Sequence, residues 1–292
     1  MTTHTGHRES EVHSVVAGGA TIYRLYDVGY EIDLARAGKL LAPHAPPHPR
    51  PRRGEAAALV IPKPPLILDL GSKPVTVGRA TVSGTLSAAI FDFGVISLRL
   101  GIAAPATPTW ADYVTFGGAL HGDAGCRSLC DAALHDLHAA LGSSIQRRQI
   151  APVTQDYIVY RAAALCDAEG TAITPPRLSG DALAALLLNE GRELSPAAKR
   201  ELLPHRFAYT TRDYAVLTWE SALVVEPDAE DQDVEYVLEF ANAQLLELRV
   251  FDAMLDAELP RMYDRVAAMR GRPTALFRRY RSLLAKLQTL VA

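Results

Sequence analysis

Carboxylates crowd one stretch of this chain. Between Val234 and Met269 stand Glu235, Glu239, Glu247, Asp252, Asp256 and Glu258. Acids on one helix can hold a divalent cation or can form the wet side of a rod. A two-metal bundle site asks for Glu-x-x-His pairs from two helices, and this stretch has no histidine. A second set, "CRSLCDAALHDLH", offers Cys126, Cys130, His135 and His138. A zinc site needs four converging ligands. On one helix Cys126 and Cys130 share a face and His138 lies beside it, but His135 is turned about 140° from Cys130. The set reads as buried cysteines beside surface histidines. A third group, Asp27, Glu31, Asp92 and Glu220, places acids at strand ends, where an enzyme pocket in the head could use them. His121-Gly122-Asp123 and His205 stand alone. There is no Gly-x-Gly-x-x-Gly and no Walker A lysine, so neither a cofactor nor a metal is expected.

The acidic stretch has a stronger pattern than its charges. Steps of four and three from Val234 reach Leu238, Ala241, Leu245, Leu248, Asp252, Leu255, Leu259, Met262, Val266 and Met269. Every position but Asp252 is apolar, which is the heptad seam of a long helix packed on another helix. The expected packing or oligomer seam is therefore Leu238, Leu245, Leu248, Asp252, Leu255, Leu259 and Met262. Asp252 can set register at a cost in stability. Glu235, Glu239, Glu247 and Glu258 fall off the seam and read as solvated or flanking charges, with Glu258 and Arg261 spaced to pair. Pro260 should kink the helix or mark a join, and "RGRPT" (270–274) offers a break.

Charge reverses along this region. Glu226 to Asp264 holds twelve acids and two basic residues, and Arg265 to Ala292 holds seven basic residues and no acid. Arg270, Arg272, Arg278, Arg279 and Arg281 are candidates to contact anions, either a membrane surface or nucleic acid. Leu276, Tyr280, Leu283 (or Leu284) and Leu287 continue a helical spacing there. The pattern stops without a cap, so a continuation beyond Ala292 is expected.

Other elements must carry these groups. "ATIYRLYDVG" reads as a strand, and Asp33 is placed to cap a helix opening at Leu34. Five prolines between Ala42 and Gly54 exclude helix and sheet interior. "ALVIPKPPLILDLG" and "KPVTVGRATVSG" are short β runs. Leu86 to Leu100 reads as the strongest strand, with Val95, Ser97 and Arg99 alternating against Ile96, Leu98 and Leu100, and Gly94 marking a bulge or close backbone approach. A helix is expected from about Asp123 to Leu141, then a strand at "TQDYIVYRAAAL". Short helices follow, capped by Ser179 and Ser195, and "DYAVLTWESALVVEP" is a strand or strand pair.

The chain has 292 residues, 49% hydrophobic and 22% charged, with a net charge of -3. This is a globular composition able to bury a core. Three cysteines argue against a secreted disulfide framework. The polar N-terminus lacks a signal-peptide core, and no run of about 18 apolar residues offers a membrane span. The expected fold is α+β: a mixed α/β head domain followed by a long C-terminal helical, coiled-coil-like hairpin. Residues 1–19 read as a disordered tail, 20–228 as the head with a Pro/Arg-rich loop at 42–54, and 229–292 as a helical stalk expected to be truncated.

Four blocks, "YRLYDVGYEIDL", "AAIFDFGVISLRL", "YAVLTWESALVVEP" and "LEFANAQLLELRVFDAMLDAEL", resemble an uncharacterised bacterial domain family. More distantly they are similar to the "required for meiotic nuclear division" family. The resemblance implies an α/β head, a helical hairpin ending in a membrane-anchoring segment that this chain lacks, and support of assembly or organelle translation. Three functions are weighed. The first is a non-enzymatic scaffold or membrane-associated assembly protein, cytoplasmic or tied to the inner membrane, with self-association or a helical partner. The second is an enzyme with a pocket in the head. The third is nucleic-acid binding through the basic end.

Overall fold

The computed structural model describes residues 11–42, 63–106, 108–174, 179–192, 194–202, 205–208, 210–229 and 231–269. Among these the chain is α+β, with strands and helices interleaved. It divides into two compact units, one extending to Leu246 and one beginning at Glu247.

The first unit is built on a mixed sheet. Its strands are β2 (Gly19–Asp27), β4 (Leu66–Val77), β5 (Ala80–Ile90), β6 (Val95–Ala103), β8 (Thr154–Ala162), β10 (His205–Phe207), β11 (Tyr214–Leu217) and β12 (Ser221–Val225). They lie in the order β10-β11-β12-β8-β2-β6-β5-β4, and only β12 and β8 run parallel. Two small ladders flank the sheet. β1 (Ser14–Val16) pairs with β9 (Ala164–Cys166), and β3 (Glu31–Ile32) pairs with β7 (Ile145–Gln146). β1 lies inside the stretch expected to be a loose tail, where its pairing with β9 orders it.

Period-two alternation gives the central strands two different faces. Ile22, Leu98, Leu100, Ile158 and Tyr160 enter the main cores with helices α1 (Leu34–Leu41), α2 (Trp110–Leu120), α3 (Ala124–Leu141) and α4 (Gly180–Leu187). Tyr113 of α2 is fully buried there, its hydroxyl 2.8 Å from the Gly19 carbonyl. The opposite face carries Tyr23, Ser97, Arg99, Gln155 and Arg161. It meets the first turns of α6, a helix running Asp233–Met269. α5 (Pro196–Leu202) completes the helices.

Local grammar sets the helix starts. Asp33 accepts the Arg36 N–H at 3.0 Å, Asp123 that of Cys126 at 2.7 Å, Ser179 that of Asp181 and Ser195 that of Ala198. These are the side-chain caps that orphan N–H groups at a helix start require. The run Leu86–Leu100 is not one strand. It folds as β5 and β6 joined by a turn at Phe91–Gly94, because Gly94 takes φ +90 and reverses the chain. A Cβ at Gly94 would lie 1.8 Å from the Gly29 carbonyl oxygen. The "DVGYEID" and "FDFG" blocks thus interlock, with Val28 N–H bonding Gly94 O at 2.9 Å and Ile32 N–H bonding Asp92 O at 2.7 Å. α6 runs unbroken through Pro260. The proline-rich loop and Arg270, Arg272, Arg278, Arg279 and Arg281 lie outside the described residues.

Candidate functional site

Two strand arginines on the face that meets α6 each find a carboxylate on that helix. Arg99 of β6 donates through Nε and Nη2 to both oxygens of Glu239, at 2.6 and 2.5 Å. Arg161 of β8 donates to Glu235 at 2.7 Å and also reaches the carbonyls of Asp228 and Asp231. Gln155 Nε2 donates to Asn242 Oδ1 at 2.9 Å, and Asn242 in turn donates to the Leu238 carbonyl. Glu239 is 2% exposed and Glu235 8%. These two acids, expected to face water, are the helix's buried keys. The helix stripe that meets the sheet is Glu235, Leu238, Glu239, Asn242, Ala243 and Leu246. It is set one residue off the expected seam, because strand arginines need partners and the stripe with carboxylates turns toward them.

The electrostatics follow from burial. Burial raises the Glu235 carboxyl above its usual range, against the opposing pull of Arg161. Burial disfavours the charge on Arg99 too, but Glu239 beside it more than compensates and holds the guanidinium protonated. Tyr23, opposite Arg99 in register, lies beneath the pair, and burial raises its phenol. Phe240 closes one flank of the helix with Phe91 and Phe93 of the "FDFG" turn, ring centroids 5.2 to 6.2 Å apart.

The acids expected at strand ends divide. Glu31 and Asp92 line an open recess of about 510 Å³ with Ile32, Asp33, Leu34, Lys63, Pro64 and Gln146. Each carboxylate there already has a partner. Asp33 caps α1, Glu31 accepts from Gln146 at 2.9 Å, and Asp92 pairs with Lys63 at 3.1 Å. Asp27 does not line the recess. By alternation it shares the face of Tyr23, and burial pushes its carboxyl up to about 6, opposed by the Gly29 N–H. Glu220 sits in the turn between β11 and β12, away from the others in the fold.

On the helical side, Arg24 bridges Asp156 at 2.7 Å and the Tyr26 hydroxyl, which donates to Asp131 at 2.6 Å. Cys126 and Cys130 are free and buried, and desolvation pushes both thiols up to about 12. Neither is a thiolate nucleophile at neutral pH. His138 is engaged by Arg148. Among the described residues no cluster of three or more His, Cys, Asp or Glu could hold a metal ion.

Sequence reading missed Arg161, Gln155 and Asn242 as functional groups, and noted Arg99 only as part of an alternation. The available signal was an arginine near the end of "VISLRL" and of "DYIVYRA", since a partly buried arginine demands a fixed partner.

In the second unit, α6 beyond Leu246 exposes seam residues: Leu248 at 66%, Leu255 at 43% and Leu259 at 44%. Glu258 pairs with Arg261 at 2.7 Å, the expected i, i+3 contact. No helix among the described residues is long and apolar enough to cross a membrane.

Fold and site together define an α+β sheet domain with a polar, arginine-bearing face that receives a helix. The family described as "Uncharacterized protein MJ0711, N-terminal domain" matches residues 17–232, and the chain belongs to it. The chain is similar to "Uncharacterized protein MJ0711" of Methanocaldococcus jannaschii, 32% identical over 73 residues. The aligned stretch covers 25% of this chain and 23% of that relative. No solved structure matches the chain.

Proposed function

We propose that this chain is a non-enzymatic scaffold, an α+β head carrying a helical stalk that self-associates through a coiled-coil seam. The observation that supports it is the exposed apolar row Leu248, Leu255 and Leu259 at heptad positions, with Asp252 between them as the polar break. An apolar row of this kind marks an association surface. In this reading Leu245 and Met262 extend the seam, the stalk folds as a helical hairpin with the basic C-terminal residues, and the arginines there meet an anionic membrane surface. A place beside the inner membrane and kinship with the "required for meiotic nuclear division" family belong to the same proposal.

Sedimentation velocity of the purified chain across a hundredfold concentration range tests it, together with flotation on anionic vesicles. A concentration-dependent dimer or higher species is expected. A strict monomer that also ignores anionic vesicles overturns the reading.

A second reading, an enzyme with a pocket in the head, draws support from the recess holding Glu31 and Asp92. Small-molecule binding that is lost in Glu31→Gln and Asp92→Asn would favour it over the scaffold.

A further inference from the structure

The contact between α6 and the sheet is unusual for a core. Three of its six buried helix residues are polar or charged: Glu235, Glu239 and Asn242. They stand at i, i+4 and i+7, on one face of the helix. Each answers one group on the sheet, namely Arg161, Arg99 and Gln155. Apolar residues of similar volume generally hold such a contact as well or better. What buried pairs add is selection of one partner in one register, since any helix that lacks the carboxylates leaves two guanidinium groups stranded. A buried hydroxyl on the same face, that of Ser97, has no hydrogen-bond partner among the described residues. The face is built to discriminate rather than to maximise stability. The family match supplies an independent observation. It ends at residue 232, one residue before α6 begins at Asp233, so the shared domain is delimited without the helix that covers it.

We infer that this face is a charge-coded receptor for an acidic helix, closed in cis by the first turns of α6, and that it accepts the same segment of a second copy once the cis helix is released. The code is two carboxylates one turn apart, followed by an amide three residues on. The titratable or charged groups around it are Arg99, Arg161 and Tyr23 from the sheet, and Asp231, Asp228 and Tyr236 from α6 and the segment before it. The inference does not rest on the seam, because the receptor face lies wholly in the first unit.

The test uses the full chain. A Glu235→Arg/Glu239→Arg variant should keep a cooperative unfolding transition while residues 233–246 lose amide-exchange protection. A fluorescent peptide of residues 231–250 should then bind the variant and not the wild type, with affinity falling at least tenfold between 50 and 500 mM salt. The same peptide carrying both Glu→Arg changes should not bind. Adding Arg99→Glu and Arg161→Glu to the variant should restore protection of the helix. Loss of the cooperative transition in the variant overturns the inference, since α6 would then be an inseparable part of the fold. Equal binding of both peptides, or no restoration by charge exchange, overturns the code. A strictly monomeric wild type that also ignores anionic vesicles would sink the scaffold reading and leave these outcomes untouched.

Discussion

Replacing Glu239 with alanine strands the Arg99 guanidinium on the sheet. Both of its donating nitrogens lose their acceptor, and among the described residues no other carboxylate is hydrogen-bonded to it. Removing one partner of a buried pair costs about 3–5 kcal/mol, because a desolvated charge remains. The Arg99 side chain keeps 20% of its exposure, so water can relieve part of that cost. The lower end, about 3 kcal/mol, is therefore expected. For a domain of this size each kcal/mol moves Tm by about 2–4 °C, so Glu239→Ala should lower Tm by about 6–12 °C.

The companion variant removes both charges. Arg99→Met with Glu239→Leu keeps the volume and leaves nothing unpaired, and it should fall within about 1 kcal/mol of wild type or exceed it. Urea unfolding of Arg99→Met, Glu239→Leu, the pair and wild type closes a double-mutant cycle. The expected pattern is large single losses with a small combined loss. If Glu239→Ala alone costs under about 1 kcal/mol, the pair is solvated in solution and the docking of α6 argued above is wrong.

Other expectations follow from single residues. The Asp27 carboxyl is pushed to about 6 in the folded chain, so folding favours its protonated form; this contribution is present at acidic pH and lost as pH rises through about 6. Asp27→Asn should therefore stabilise by about 1–2 kcal/mol at pH 7.5, after discounting for partial solvent access, and by little at pH 4, as read by urea unfolding at both values. Equal gains at the two values would remove Asp27 as the titrating group. Gly94→Ala drives a methyl into the Gly29 carbonyl and should cost about 3 kcal/mol or more, or abolish soluble folding. Gly71→Ala also has a positive φ but meets nothing within 4 Å, and should cost only about 1–2 kcal/mol in the same thermal assay. Under the proposed self-association, Asp252→Leu should give a more stable association with several sedimenting species instead of one, and a single sharper species would deny Asp252 a register role.

What was legible in the sequence was what is encoded locally. Asp33, Ser179 and Ser195 each cap the helix that follows them, because a cap depends on only three or four neighbouring residues. The hairpin at Phe91–Gly94 was less legible, since an apolar run with one glycine serves a bulged strand and a tight turn equally well. α2 went unread because its residues, "WADYVTFGGAL", have weak amphipathic contrast, so its start rests on the Thr109–Asp112 capping box. The candidate site failed for a different reason. A heptad seam and a sheet-docking stripe share nearly one period and differ here by one residue, about 100° of rotation. Leucines alone favour the phase through Leu238 and Leu245. The phase through Glu235, Glu239 and Asn242 prevails in the first unit because Arg161, Arg99 and Gln155, contributed by distant strands, cannot be left unpaired. Beyond Leu246 the exposed leucines again follow the heptad. One helix thus carries two phases in succession, a charged one that fits a sheet and an apolar one that stands exposed, and the change falls at the boundary between the two compact units.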